Sequence, residues 1–189
     1  MKRLILASGS PRRKELLENA GISFEVVPST IEERMDETKE VHDIVMSLAL
    51  QKAADVAKSY PEGFVLGADT VVALDGEILG KPEDDMAARE MLKTLSGRVH
   101  TVYTGVALVT PQAEKTFYSS TDVRFWNLTE EEIESYLASG EPYDKAGAYG
   151  IQGLGALFVK EISGDYFSVV GLPVSRTVRE LSALGFFKN

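Results

Sequence analysis

The order in which strand-like and helix-like segments follow one another constrains this chain more than any single motif. Apolar runs at residues 3–7, 23–27 and 64–68 read as strands, and the helical patterns 11–20 and 41–59 fall between them. Residues 71–74 and 77–79 flank Asp75-Gly76, a two-residue hairpin signal. Further helices are predicted at 83–95, 130–138 and 173–184, and further strands at 99–109, 115–125, 156–162 and 166–169. Gly21, Gly97 and Gly140 follow three of the helices as C-terminal stops. Helical crossovers together with hairpins indicate an α/β fold with a mixed sheet. No repeat, low-complexity tract or linker interrupts the 189 residues, which are expected to form one domain, 1–189. Two lobes sharing one sheet would fit the same pattern, and composition locates no boundary between them.

Composition narrows the chemistry. Twenty Lys and Arg stand against 29 Asp and Glu, a formal charge of −9, which repels a nucleic-acid backbone and disfavours a nucleic-acid partner. Cysteine is absent, which excludes disulfides, thiolate metal sites and thiol nucleophiles. Two histidines, His42 and His100, are too few for a multi-histidine metal site within one chain, and neither is assigned a role. No apolar run is long enough for a signal peptide or a bilayer span, so no membrane partner and a cytoplasmic location are expected.

One helix start breaks a rule that the others keep. The segment at 6–17, LASGSPRRKELL, places Ser10 as the N-cap and Pro11 at the first helical position. Arg12, Arg13 and Lys14 follow, although the positive end of the helix dipole favours acids there. The later helices begin with Glu83, Asp84 and Asp85, or with Thr129 and Glu132 in a capping-box pattern. Three cations fanned into solvent would cost roughly 1 kcal/mol or less. Ser8-Gly9-Ser10 argues for more, because a glycine between hydroxyls lets N–H groups converge beside the arginine forks. A polyphosphate would turn the conflict into a complementary site, although the P-loop spacing is missing.

Other candidates lie further along. Asp69, with Thr70 after it, is expected at the end of an apolar strand, where ligands of open α/β sheets collect. It could hold a metal, orient water or take a proton, or simply end the strand. Lys52 shares the helical face of Val41, Ile44, Val45, Leu48 and Val56, so its ammonium must either snorkel out or meet an anion. Lys81 precedes Pro82 and is expected to be extended and outside the helix, as a cleft residue or an ordinary loop lysine. Glu32 and Glu33 sit in an acidic loop that could supply metal ligands or be solvated surface. Gln152 is set among Gly147, Gly150, Gly153 and Gly155, where paired donor and acceptor groups could read a base and the glycines could bring backbone close to a ligand.

Taken together, these segments resemble the Maf family of septum-formation-inhibitor-like proteins. The resemblance runs from end to end through LASGSPRRKELL, IEER, LGADTVV, GEILGKP, LSGRVHTVYTGVAL, EPYDKAGAYGIQG and VVGLPVS. It implies a curved mixed sheet with flanking helices, two lobes around a deep cleft, similar to inosine triphosphate pyrophosphatases. It implies a nucleoside triphosphate pyrophosphatase that cleaves between the α and β phosphates, with a divalent metal, Mg²⁺ or alternatively Mn²⁺. Asp69 would be the proton acceptor, Ser8, Arg13, Lys52 and Lys81 would hold the triphosphate, and Glu33 and Asp69 would place the metal. Arg12, Thr70 and Gln152 match the branch acting on dTTP and UTP, which makes pyrimidine nucleoside triphosphates the expected partners. House-cleaning of nucleotide pools and a link to division arrest come with that resemblance. A non-enzymatic, nucleotide-binding regulator of septum formation is the competing class. A homodimer is the ordinary assembly for a small enzyme.

Overall fold

The computed structural model describes residues 2–188. The strands are β1 (Leu4–Leu6), β2 (Glu25–Val26), β3 (Phe64–Leu74), β4 (Glu77–Leu79), β5 (Val99–Val109), β6 (Glu114–Phe125) and β7 (Val159–Ser163). The helices are α1 (Pro11–Asn19), α2 (Val41–Ala57), α3 (Asp85–Leu95), α4 (Glu130–Ala138), α5 (Tyr166–Val170) and α6 (Val174–Ala183). The strands form one open sheet in the order β2-β1-β3-β5-β6-β7, with β4 pairing β3. β1 pairs β2 and β3 in parallel, whereas β4 and β7 pair their neighbours antiparallel. The sheet is therefore mixed, and the α/β expectation holds.

The chain packs into two compact units. The first holds the residues up to Asp69, Thr104–Ser119 and the residues from Gly171 onward. Its core includes Ile5 of β1 and Ala7 just after it, Ala49, Ala53 and Val56 of α2, Val65 of β3 and Ala107 of β5. These are mostly small side chains. Small residues let α2 lie close on its strands, and two glycines carry this furthest. A Cβ on Gly67 of β3 would stand 2.3 Å from the Ala49 carbonyl oxygen, and one on Gly105 of β5 would stand 2.3 Å from that of Val45.

The second unit holds Thr70–Tyr103 and Ser120–Val170. Its core includes Leu92 and Leu95 of α3, Tyr136 of α4, Phe125 of β6, and Tyr149 and Phe158 from the glycine-rich segment. Phe125 meets Tyr149 edge-on at 4.6 Å between ring centroids. Arg89 of α3 bridges Glu134 of α4 at 2.7 Å, and Lys93 bridges Glu130 at 2.8 Å. Strands β3, β5 and β6 each contribute residues to both units.

Three local expectations need correcting. Residues 64–68 and 71–74 are not separate strands, because β3 runs unbroken from Phe64 to Leu74 and Asp69 lies in its middle. β3 runs on past Asp69 into the hairpin, where Val72, Ala73 and Leu74 pair with Leu79, Ile78 and Glu77 of β4. Residues 166–169 form no strand: Tyr166–Val170 is a helix despite its aromatic and β-branched composition. Asp165 starts the turn, its side chain accepting the Phe167 N–H at 2.9 Å while the Ser168 hydroxyl donates to its carbonyl at 2.8 Å. Likewise residues 153–158 form a 3₁₀ turn, and β7 begins only at Val159.

Candidate functional site

The first turn of α1 shows where its cations go. The Ser10 hydroxyl accepts the Arg13 N–H at 3.5 Å, the expected N-cap, and no acid stands in that turn. Arg13 folds back over the turn: its Nη1 donates to Ser8 Oγ at 3.1 Å and its Nε to the Gly171 carbonyl at 2.8 Å. Ser8 Oγ also accepts the Ser10 N–H at 3.3 Å, so this buried hydroxyl gathers two donors. Burial lowers the Arg13 guanidinium from its ordinary pKa; the Asp69 carboxylate opposes that shift, Arg12 adds to it, and Glu33 opposes it again. Arg13 thus lies in the field of both acids. Lys14 does not turn inward, pairing with Glu18 along the exposed face at 3.7 Å. Arg12 is half-buried at the second helical position.

Lys52 joins two acids of the first unit. Its Nζ stands 2.6 Å from Asp69 Oδ1 and 3.1 Å from Glu33 Oε1. The lysine on the apolar face therefore meets anions rather than snorkelling. Gly67 explains why Asp69 is within reach. Residues two apart on a strand point to the same face, so Asp69 shares the face on which Gly67 admits α2. Lys52 leaves α2 between Ala49 and Ala53, the residues that close on Gly67.

Glu33 comes from a segment without helix or strand, residues 27–40. Two side chains of α2 fasten it. Gln51 Oε1 accepts the Arg34 N–H at 2.9 Å and its Nε2 donates to the Arg34 carbonyl at 2.9 Å. Ser29 donates to Asp55 Oδ2 at 2.8 Å. Sequence reasoning passed over Gln51 and Gly67. A lone glycine inside a strand pattern is a recognised mark of close backbone approach, so Gly67 could have been found. For Gln51 the only signal is its spacing of four from Ser47 and from Asp55.

The donor set can be tested against a divalent metal. Among the described residues no group of three or more His, Asp or Glu side chains converges. Glu33 and Asp69 nevertheless approach one cationic centre, occupied by the Lys52 ammonium. Mg²⁺ is characteristically held by one or two carboxylates with phosphate and water oxygens completing its shell. A carboxylate pair beside two cations fits that mode, with a triphosphate supplying the remaining oxygens.

The remaining candidates belong to the second unit. Thr70 follows Asp69 along β3 and is half-buried. Lys81 is exposed, outside any helix and between β4 and α3, as the following proline implies. Gln152 is half-buried at the cap of the 3₁₀ turn Gly153–Phe158. The close approach permitted by its glycines is internal: a Cβ on Gly155 would stand 2.1 Å from the Gly150 carbonyl oxygen. The Tyr136 hydroxyl accepts the Gly150 N–H at 3.3 Å, and Glu141 Oε1 accepts the Leu154 N–H at 3.2 Å. Burial, with Glu141 adding to it, pushes Tyr136 up to about 12. His100 is buried and meets the Tyr149 hydroxyl at 2.7 Å.

Fold and cluster together define an α/β protein in which a lysine of a sheet-packed helix joins two carboxylates within the field of an arginine. The chain belongs to the Maf-like protein family, whose model matches residues 3–184. A dTTP/UTP pyrophosphatase of Bacillus cytotoxicus is 61% identical over 181 residues, covering 96% of this chain and 95% of the relative. One of Bacillus cereus is 60% identical, covering 96% and 89%. A solved dITP/XTP pyrophosphatase from Mycobacterium abscessus aligns over 97% of this chain and 98% of its own, at 18% identity and a TM-score of 0.47, too loose to add to what the strands show. Among the described residues, no helix is long and apolar enough to cross a membrane.

Proposed function

We propose that this protein is a nucleoside triphosphate pyrophosphatase acting on dTTP and UTP. One observation carries the reading: Lys52 holds the Asp69 and Glu33 carboxylates together within the field of Arg13. The family and the names of its relatives supply the substrate class. Water adds across the α–β phosphoanhydride bond, that P–O bond breaks, and nucleoside monophosphate and pyrophosphate leave. Asp69 takes the proton from the attacking water, since it is a carboxylate fixed by a 2.6 Å contact and not fully enclosed, its side chain being 14% exposed. Ser8, Arg13, Lys52 and Lys81 hold the triphosphate, the arginine through a fork already oriented by Ser8 and Gly171. Glu33 and Asp69 would hold Mg²⁺ or Mn²⁺, which supplies charge stabilisation on the phosphates when bound.

Arg12, Thr70 and Gln152 choose the nucleotide, and modified pyrimidine nucleotides fall within the same class. House-cleaning of nucleotide pools in the cytoplasm, by a homodimer, completes the proposal. Incubation with a panel of nucleoside triphosphates and Mg²⁺ tests it. Pyrophosphate should appear fastest from dTTP or UTP, and its absence from both would refute the reading. Asp69→Asn should lower turnover by about 10²–10⁴-fold while nucleotide affinity changes far less. Affinity falling as far as turnover would remove Asp69 as the base.

A further inference from the structure

Residues 27–40 carry Glu33 without a helix or strand to hold them, and the acid is about half exposed, at 46%. Its ion pair with Lys52, half exposed on the acid's side, does not by itself offset the entropy of fixing several residues. The ordering contacts lie on a different face of α2. Ser47, Gln51 and Asp55 are spaced by four and form one polar seam along the helix. Gln51 is its centre: its amide pairs with both backbone groups of Arg34, as a neighbouring strand would, and its Nε2 also reaches Ser47 Oγ at 3.3 Å. Asp55 adds the bond from Ser29.

We infer that Gln51 is a positioning residue: by clamping the Arg34 peptide it sets Glu33 beside Lys52 and so presents this acid to the divalent metal. The Arg34 N–H belongs to the same peptide unit as the Glu33 carbonyl, so the clamp fixes the Glu33 backbone directly. It bonds to the Arg34 backbone, so its hold does not depend on that residue's side chain. Gln51 acts through Glu33 and touches neither metal nor substrate. The inference rests on the proposed function only in assigning Glu33 to a metal.

Gln51→Leu removes both arms of the clamp and keeps a good helix former; Gln51→Asn, too short for both arms, serves as a second variant. Arg34 amide exchange should accelerate about tenfold in each as the local bond is lost. Mn²⁺ affinity, measured with a non-hydrolysable dTTP analogue present, should weaken by about tenfold, as for other groups that orient a metal ligand. Turnover should recover as Mg²⁺ is raised. On a Glu33→Gln background, Gln51→Leu should change Mn²⁺ affinity by less than about twofold, because the two residues act as one unit. Unchanged Arg34 exchange, or an equal loss of affinity with and without the Glu33 carboxylate, would overturn the inference. A wild-type protein that releases no pyrophosphate from any nucleotide removes the proposed function instead. The clamp is then judged by Arg34 exchange and Mn²⁺ affinity, neither of which needs turnover.

Discussion

The Lys52 ammonium touches two carboxylates from different segments, at 2.6 and 3.1 Å, and so sits where the proposed function would put a divalent cation. With Arg13 included, two positive and two negative side chains balance. A balanced cluster attracts a free metal weakly, and a triphosphate entering with its metal would draw Lys52 toward phosphate oxygen. Lys52→Met removes one positive charge and leaves Asp69 and Glu33 facing each other. Mn²⁺ titrated without nucleotide should then bind about tenfold more tightly, a gain of about 1.4 kcal/mol, even as dTTP turnover falls. Unchanged Mn²⁺ affinity would mean that the lysine does not compete for that position. A second residue carries a pH dependence. Burial lowers His100 from 6.5 to about 4, with Asp122 opposing the shift. The folded state therefore prefers the neutral ring more strongly than the unfolded state does. The sign follows: this stability is whole above pH 6.5 and is lost as pH falls toward 4, by about 3 kcal/mol in all. Urea unfolding from pH 7 to 4 should show wild type losing more stability than His100→Gln, the difference tracing that one group. Parallel pH profiles would place the ring's titration at its ordinary value.

At the scale of elements, α2 joins the fold to the site. It lies on β3 and β5 through Gly67 and Gly105 and carries both Lys52 and the seam that ties down residues 27–40. Gly67→Ala would set a methyl 2.3 Å from the Ala49 carbonyl oxygen, and backbone rather than a flexible side chain must give way. Overpacking of this kind costs about 1–3 kcal/mol, or roughly 3–10 °C in Tm for a chain of this size. Thermal unfolding measures it, and turnover should fall as well, because α2 cannot lift from β3 without parting Lys52 from Asp69. An unchanged Tm would show that α2 is not held so closely. Much of this was legible beforehand. Signals confined to a few neighbouring residues read true: the Ser10 cap, the Thr129–Glu132 capping box and the Asp75-Gly76 turn all stand as the sequence implied. Features decided by contacts distant in sequence did not. The composition of residues 166–169 reads as strand, yet the contact of Ser168 with the distant Thr121, at 3.0 Å, helps the Asp165 cap to hold a helix. Asp69 reads as a strand end because its partner, Lys52, lies 17 residues away. The role of Gln51 depends on a peptide at Arg34, and nothing in its own neighbourhood announces it.

For the molecule as a whole, alternating crossovers and hairpins made the fold class legible, and the seven motifs in order made the family legible. The division into two units was not, because it falls within continuous strands that bear no linker composition. One unit takes over from the other between Asp69 and Thr70, between Tyr103 and Thr104, and between Ser119 and Ser120, inside β3, β5 and β6. That placement has a thermodynamic consequence. A strand cannot melt over half its length without stripping ladder bonds from the residues next along it, so the two units should share one cooperative transition. Trp126, the only tryptophan, lies in the second unit and reports on that unit, whereas far-UV circular dichroism reports on both. Urea melts followed by the two signals should coincide, and the calorimetric and van't Hoff enthalpies should agree. An earlier midpoint for Trp126 fluorescence, or a calorimetric enthalpy well above the van't Hoff value, would establish separate folding units.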